Sequence, residues 1–528
     1  MRRFLAAILF CSTLVAQAPP PSAGRVAAPV AAASAQVQSP KLVLAIVIDQ
    51  FRYDYLTRYK SEYTGGLKRL MDRGAVFTNA YFEHVPTVTA VGHSAFLSGA
   101  TPAMSGIIAN DWWERSEKKR VSSVTPVPGS KGSKMVGAEG NGSTPERLLQ
   151  STVGDELKMA RKGGKVIGVS IKDRSAILPV GHMADAAYWF DDNSGNFVSA
   201  TYYFPNGQLP AWVGDLNRAR PGDKYAGREW LGHRAPEQKG KALYNELSFT
   251  PWGNELIQQA ALAALKNEKL GTGTKVDLLA VSYSSNDYVG HRYGPDRPEA
   301  HDMALRVDKL IGELLTAAEA QAGAGRVLVA LTADHGVAPV VEEMIPLKMP
   351  AGRPNGAAWR AEVEKALSAR YGNGSWVTDT PDLAMVLNQD TINAKKLDRA
   401  QVEHVAAETL REQPHVFRVY TRTQLLSGSV SADQLDLRVR NGFNAARSPD
   451  LTVIPDPYWV AGQAGGTTHG TPFTYDAHVP VIFYGPQIKA GRYHFNIAVI
   501  DIAPTLSTIL EIEPPSGSVG RALHEIIK

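Results

Sequence analysis

Short apolar runs punctuate the chain, and several of them end in an acid or lead into polar residues. Residues 41–49 read KLVLAIVID, almost continuously apolar and closed by Asp49, the pattern of a strand buried on both faces of a sheet. Residues 166–171, 276–281 and 327–332 read as parallel strands of the same kind, with 479–483 a shorter example. Between them the apolar period lengthens to that of helices, at 65–73, 253–266, 298–320 and 500–509. This alternation predicts an α/β fold, a three-layer αβα sandwich around a central, largely parallel sheet.

Two stretches break the alternation. Residues 179–249 are rich in aromatic, glycine and proline residues, and residues 345–458 carry their own helical pattern at 358–371 and 399–412. Both read as insertions that cap one end of the sheet. At 528 residues the chain is too long for one simple core, which suits a large domain over 41–528 with two inserted segments.

The N-terminus reads differently. Arg2 and Arg3 precede an apolar run over 4–15, too short to span a bilayer, which predicts a signal peptide over 1–18. Cleavage fits after Ala16-Gln17-Ala18 or as late as residue 35, and residues 19–40, rich in Ala, Pro, Ser and Val, form a leader. The expected location is the periplasm or the medium. Lys and Arg number 56 against 52 Asp and Glu, a formal charge of +4, with no long basic run, so neither nucleic acid nor a membrane is expected as partner. The only cysteine is Cys11, inside the signal region. A metal site in the exported protein must therefore use oxygen and nitrogen ligands.

Ligands of open α/β sheets bind just beyond the carboxyl ends of strands. Asp49 closes the first run; the run at 276–281 leads to Asp287 and His291; the run at 327–332 leads to Asp334 and His335; the glycine-rich loop 465–470 adds His469. Each alone reads as an ordinary turn, cap or solvated helix pair. Three Asp and three His gathered at such places suit two zinc ions. The run Val-Ser-Ile-Lys-Asp-Arg at 169–174 overlaps another strand. If that strand continues, Lys172 and Arg174 share one face and offer an anion a point charge and a planar fork. Finally, residues 85–99 hold four hydroxyls, at Thr87, Thr89, Ser94 and Ser98. A short helix over 90–97 puts Thr89 at a helix N-terminus, where free N–H groups attract phosphate.

Taken in order, Asp49, Thr89, Asn110, Lys172 with Arg174, Asp287 with His291, Asp334 with His335, and His469 resemble the alkaline phosphatase superfamily. The pattern is most similar to its phosphate-irrepressible branch of secreted bacterial enzymes with a threonine nucleophile. The motifs that carry the resemblance are Val-Ile-Asp-Gln, Val-Pro-Thr-Val-Thr-Ala-Val-Gly-His, Gly-Ile-Ile-Ala-Asn-Asp-Trp-Trp, Ile-Lys-Asp-Arg, Asn-Asp-Tyr-Val-Gly-His, Ala-Asp-His-Gly and Thr-Thr-His-Gly-Thr. The resemblance implies a monomeric hydrolase of small phosphate monoesters that passes through a phosphothreonine on Thr89 and releases inorganic phosphate. It implies two zinc ions, one held by Asp287, His291 and His469, the other by Asp49, Asp334 and His335 with Thr89 as its reactive ligand. Asn110, Lys172 and Arg174 would hold the phosphoryl oxygens, leaving Thr87, Ser94 and Ser98 structural. Two other readings remain: a phosphodiesterase or nucleotide pyrophosphatase of the same superfamily, and a secreted metal- or phosphate-binding protein without turnover. A monoester dianion gains more from Lys172 and Arg174 than a diester does, which favours the monoesterase.

Overall fold

The buried apolar runs become the middle of one large sheet. The computed structural model describes residues 38–528, Leu383 excepted, so the signal peptide and most of the leader lie outside the described residues. Among the described residues ten strands join: β1 (Leu42–Ile48), β2 (Ala75–Phe77), β3 (Met135–Val136), β4 (Gly163–Ser170), β5 (Ala186–Asp191), β6 (Asn196–Ala200), β7 (Val276–Tyr283), β8 (Val327–Thr332), β9 (Val481–Tyr484) and β10 (Gly491–Tyr493). Their order is β10-β2-β9-β8-β1-β7-β4-β5-β6-β3. The central run β8-β1-β7-β4-β5 is parallel. Helices including Gly66–Arg73, Pro251–Asn267, Pro298–Ala322 and Ile502–Leu510 are amphipathic or largely buried, as their apolar spacing requires.

Register matters more than architecture here. Leu42 to Ile48 pair in step with Asp277 to Tyr283, and Leu42 to Val47 in step with Val327 to Thr332. The carboxyl ends of β1, β7 and β8 are therefore flush, and whatever follows each strand meets at one place.

Two expectations are corrected. The run at 479–483 is a strand, but β9 pairs antiparallel with β8 and with β2. An apolar run reports burial on both faces and says nothing of direction. The segment 179–249 does not only cap the sheet, since β5 and β6 lie within it and extend the sheet edge. The segment 345–458 has its own sheet, in the order Val377–Asp379, Ala384–Leu387, Leu451–Pro455, Val416–Thr421. Helices Gly356–Tyr371 and Arg399–Arg411 cover it around a separate core that includes Val363, Leu367, Trp376, Leu410 and Val453.

One buried carboxylate locks two helices together. The helix Gly66–Arg73 starts after Gly65, which has no side chain to cap it. Asp308, buried on the helix Pro298–Ala322, does so instead: its Oδ2 accepts the N–H of Thr64 (2.8 Å) and Gly65 (2.6 Å), and its Oδ1 those of Leu67 (2.7 Å) and Lys68 (3.2 Å). Removing one acceptor from four N–H groups leaves all four without that partner, the buried Leu67 donor among them. Asp308→Ala is expected to destabilise the protein by about 3 kcal/mol or more, read as a lower denaturant midpoint. A midpoint equal to that of the wild type would refute this account of the helix start.

Candidate active site

The flush strand ends bring the acids and histidines together. Asp49 follows β1, and its N–H donates to the Tyr283 carbonyl at the end of β7 (3.2 Å). Asp287 and His291 lie one turn apart on the helix Ser285–Tyr293, which starts directly after β7. Asp334 and His335 follow β8. His335 Nε2 lies 3.6 Å from Asp49 Oδ1 and 3.4 Å from Asp334 Oδ2. His291 Nε2 lies 3.1 Å, and His469 Nε2 3.6 Å, from Asp287 Oδ1. The rings of His335 and His469 stack with centroids 3.5 Å apart.

Each of these three rings is held the same way. Nδ1 faces a backbone carbonyl, that of Thr467 for His291 (2.8 Å), Gly336 for His335 (2.9 Å) and Thr87 for His469 (2.7 Å). That bond assigns the proton to Nδ1 and leaves the Nε2 lone pair aimed at the carboxylates. A lone pair facing a carboxylate oxygen is repulsive unless a proton or a cation lies between them. Asp49 Oδ1 and Asp334 Oδ2 are moreover buried without a hydrogen-bond donor. Burial, with the Asp334 charge beside it, pushes Asp49 well above the usual carboxylate range. Burial acts on Asp334 in the same sense, but His335 and His93 outweigh it and hold that acid below the usual range. Burial, opposed by Asp334, takes His335 down to about 3, so its ring is neutral and free to donate a lone pair. Burial disfavours a charged His291, but Asp287 outweighs that and holds the ring above the usual histidine range, a proton that a bound cation would replace. A crowded buried acid cluster with three imidazole nitrogens turned toward it fits divalent cations with nitrogen and oxygen ligands.

Ligand atoms converge in two groups, Asp287 with His291 and His469, and Asp49 with Asp287 and His335, each within 4.8 Å. The first is the expected set. In the second, Asp287 is grouped with Asp49 and His335, so this one acid reaches both groups, and Lys172 lies between two of the acids. Its Nζ lies 2.8 Å from Asp49 Oδ2 and 2.6 Å from Asp287 Oδ2. Asp334 remains at the rim of this group through His335. Burial disfavours the Lys172 ammonium, but Asp287 and Asp49 outweigh that and hold it above the usual lysine range.

Thr89 is the first residue of the helix Thr89–Ser98, after extended Val88. Its hydroxyl accepts no backbone N–H of the helix start. Thr89 Oγ1 lies 3.5 Å from His335 Nε2 with the residue 2% exposed. Gly92 lets this helix press onto the Asp334 backbone, since a β-carbon there would come within 2.0 Å of the Asp334 carbonyl oxygen. Asn110 Oδ1 accepts the N–H of Ala90 (2.8 Å), which ties it to the same helix start. The other three hydroxyls donate to backbone carbonyls: Thr87 to Thr471 (2.8 Å), Ser94 to Val91 (2.9 Å) and Ser98 to Ser94 (2.6 Å).

The strand expected to set Lys172 and Arg174 on one face stops short of both, although Lys172 does reach the cluster. β4 ends at Ser170, and Asp173–Ile177 is a short helix with Lys172 just before it. Strand alternation therefore does not apply, and the strand-to-helix turn aims Lys172 inward. Arg174 is half-buried, with a buried Nε that no acceptor takes.

Two site residues escape the sequence reading. His93, one turn beyond Thr89, places Nδ1 2.9 Å from the Thr89 carbonyl and 3.1 Å from Asp334 Oδ2, with Nε2 2.8 Å from Ser282 Oγ. Its Nδ1 thus faces both, with the carbonyl the nearer. The four-residue spacing from Thr89 was the available signal. Gln50 has no such signal beyond its place after Asp49.

Over most of its length the chain is similar to known proteins. The family model described as type I phosphodiesterase / nucleotide pyrophosphatase matches residues 43–478. Alkaline phosphatase PafA of Elizabethkingia meningoseptica is 34% identical over 527 residues, covering 93% of this chain and 95% of that protein. Alkaline phosphatase PhoV of Synechococcus elongatus is 35% identical over 559 residues, covering 99% and 98%. The crystal structure of wild-type PafA superposes with a TM-score of 0.85 at 33% identity, over 93% of this chain and all of that one. The chain belongs to the type I phosphodiesterase / nucleotide pyrophosphatase family, within the alkaline phosphatase superfamily.

Proposed function

We propose that this protein is an exported alkaline phosphatase that hydrolyses small phosphate monoesters through a phosphothreonine on Thr89. The observation that carries the reading is the placement of Thr89 Oγ1, uncapped at a helix start and 3.5 Å from His335, over the acid and imidazole cluster that Lys172 enters. Two similar proteins over nearly the full chain are named alkaline phosphatases. Two zinc ions would be held by Asp287, His291 and His469, and by Asp49, Asp334 and His335. Bound there, they supply Lewis acidity that lowers the hydroxyl pKa of Thr89 and stabilises the departing alkoxide.

The chain's own residues do the rest. Thr89 Oγ1, its proton released to solvent, attacks phosphorus in line, the P–O bond to the alcohol breaks as the bond to Thr89 forms, and the departing alkoxide takes a proton from water. Water then cleaves the phosphothreonine and frees inorganic phosphate. The N-terminal turn of the helix Thr89–Ser98 directs its dipole at the incoming phosphoryl group. Asn110, Lys172 and Arg174 bind its non-bridging oxygens as charge builds on them.

The family description favours a second reading, a phosphodiesterase. One comparison separates them: kcat/KM of the zinc-loaded protein for an aryl phosphate monoester and for the matching diester. A preference for the monoester of at least about 100-fold, near what one well-placed charge contributes, is expected. A preference for the diester would overturn the monoesterase reading.

A further inference from the structure

Gln50 follows Asp49 and is almost fully buried, with φ at +57°. Side-chain-bearing residues rarely take this left-handed backbone, and glycine holds it without strain. The conformation lets one residue reach both acids. The Gln50 backbone N–H donates to Asp334 Oδ1 (3.0 Å), and its side-chain Nε2 donates to Asp287 Oδ1 (2.6 Å). Asp287 Oδ1 is the oxygen that His291 and His469 also face. The amide has room because residue 290 is glycine: a β-carbon there would lie 1.8 Å from Gln50 Oε1.

We propose that Gln50 is a positioning residue whose side-chain amide orients Asp287 for the ion held with His291 and His469, while its backbone independently tethers Asp334. The inference rests on the proposed reading of that metal site. A hydrogen-bond donor behind a ligating carboxylate fixes which oxygen faces the metal, and loss of such a partner weakens metal binding by about 10–100-fold.

Gln50→Gly tests this cleanly. It suits the backbone, keeps the N–H to Asp334 and deletes only the amide. Zinc-loaded wild type and variant are titrated with a chromogenic chelator, and the ion at the Asp287 site is identified as the one that His291→Ala loses. In Gln50→Gly that ion is expected to bind about 10–100-fold more weakly. The other ion, which Asp287 also approaches, should be weakened less. Gly290→Ala should reproduce the selective loss by displacing the amide, and should add nothing in the Gln50→Gly background. Unchanged binding of both ions in Gln50→Gly, or an equal loss at both, would overturn the proposal. Zinc binding absent already in the wild type would instead overturn the reading of the site. Zinc binding without monoester hydrolysis in the wild type would overturn the function while leaving the Gln50 measurement valid.

Discussion

Thr89→Ala is expected to lower kcat/KM for an aryl phosphate monoester by at least about 10⁴-fold, the scale of losing a nucleophile that acts with its neighbours as a unit. The structure makes this a clean substitution. Thr89 Oγ1 caps no helix, and its one hydrogen-bond partner among the described residues is His335 Nε2 at 3.5 Å. Deleting it leaves no donor stranded, and Ala is the best helix former for the first turn. The expected melting temperature is therefore that of the wild type, which separates lost chemistry from lost fold. Thr89→Ser keeps the oxygen and is expected to restore turnover. An acid-quenched reaction with labelled substrate should leave label on Thr89 in the wild type and none in Thr89→Ala. Full activity in Thr89→Ala would remove Thr89 from the mechanism.

The sequence was most legible where chemistry follows directly on a buried strand. Asp49, Asp287 and Asp334 could be read because each lies just beyond an apolar run, and parallel register makes those ends meet. His469 was legible only through its glycine-rich motif, since its loop is placed by a contact 382 residues away with Thr87. Strand direction was not legible for β9, because an apolar run is the same read either way. Nor was the sheet edge at β5 and β6, whose aromatic residues resemble those of a cap. The strand alternation that points to Lys172 ends two residues before it. Gln50 is the sharpest case. Its role depends on a left-handed backbone and on the space left by Gly290, both tertiary facts without a local pattern.

The second large effect concerns the two cations. Arg174→Ala is expected to lower kcat/KM for a monoester by about 10²–10³-fold, as loss of one well-placed donor to a developing charge does. The matching diester should lose much less, because it has one fewer charged oxygen for the guanidinium to meet. Lys172→Ala is expected to do more than this. Its Nζ contacts Asp49 and Asp287 at 2.8 and 2.6 Å and sits 5.0 Å from the centre of the Tyr288 ring. Removing it deprives the phosphoryl group of a charge and leaves two buried carboxylates to repel one another, a loss of about 3–5 kcal/mol for a broken buried pair. That penalty should appear as a lower melting temperature in zinc-stripped Lys172→Ala and shrink when zinc is restored, since a dication answers the same repulsion. Arg174 makes no bond to any of the proposed ligands, so Arg174→Ala should melt like the wild type in both conditions. The pair thus divides the work: Arg174 reports on recognition of the dianion alone, and Lys172 on recognition together with the charge balance of the acid cluster. If Arg174→Ala lowers the monoester and diester constants equally, the guanidinium does not select for the dianion, and the phosphodiesterase reading takes precedence.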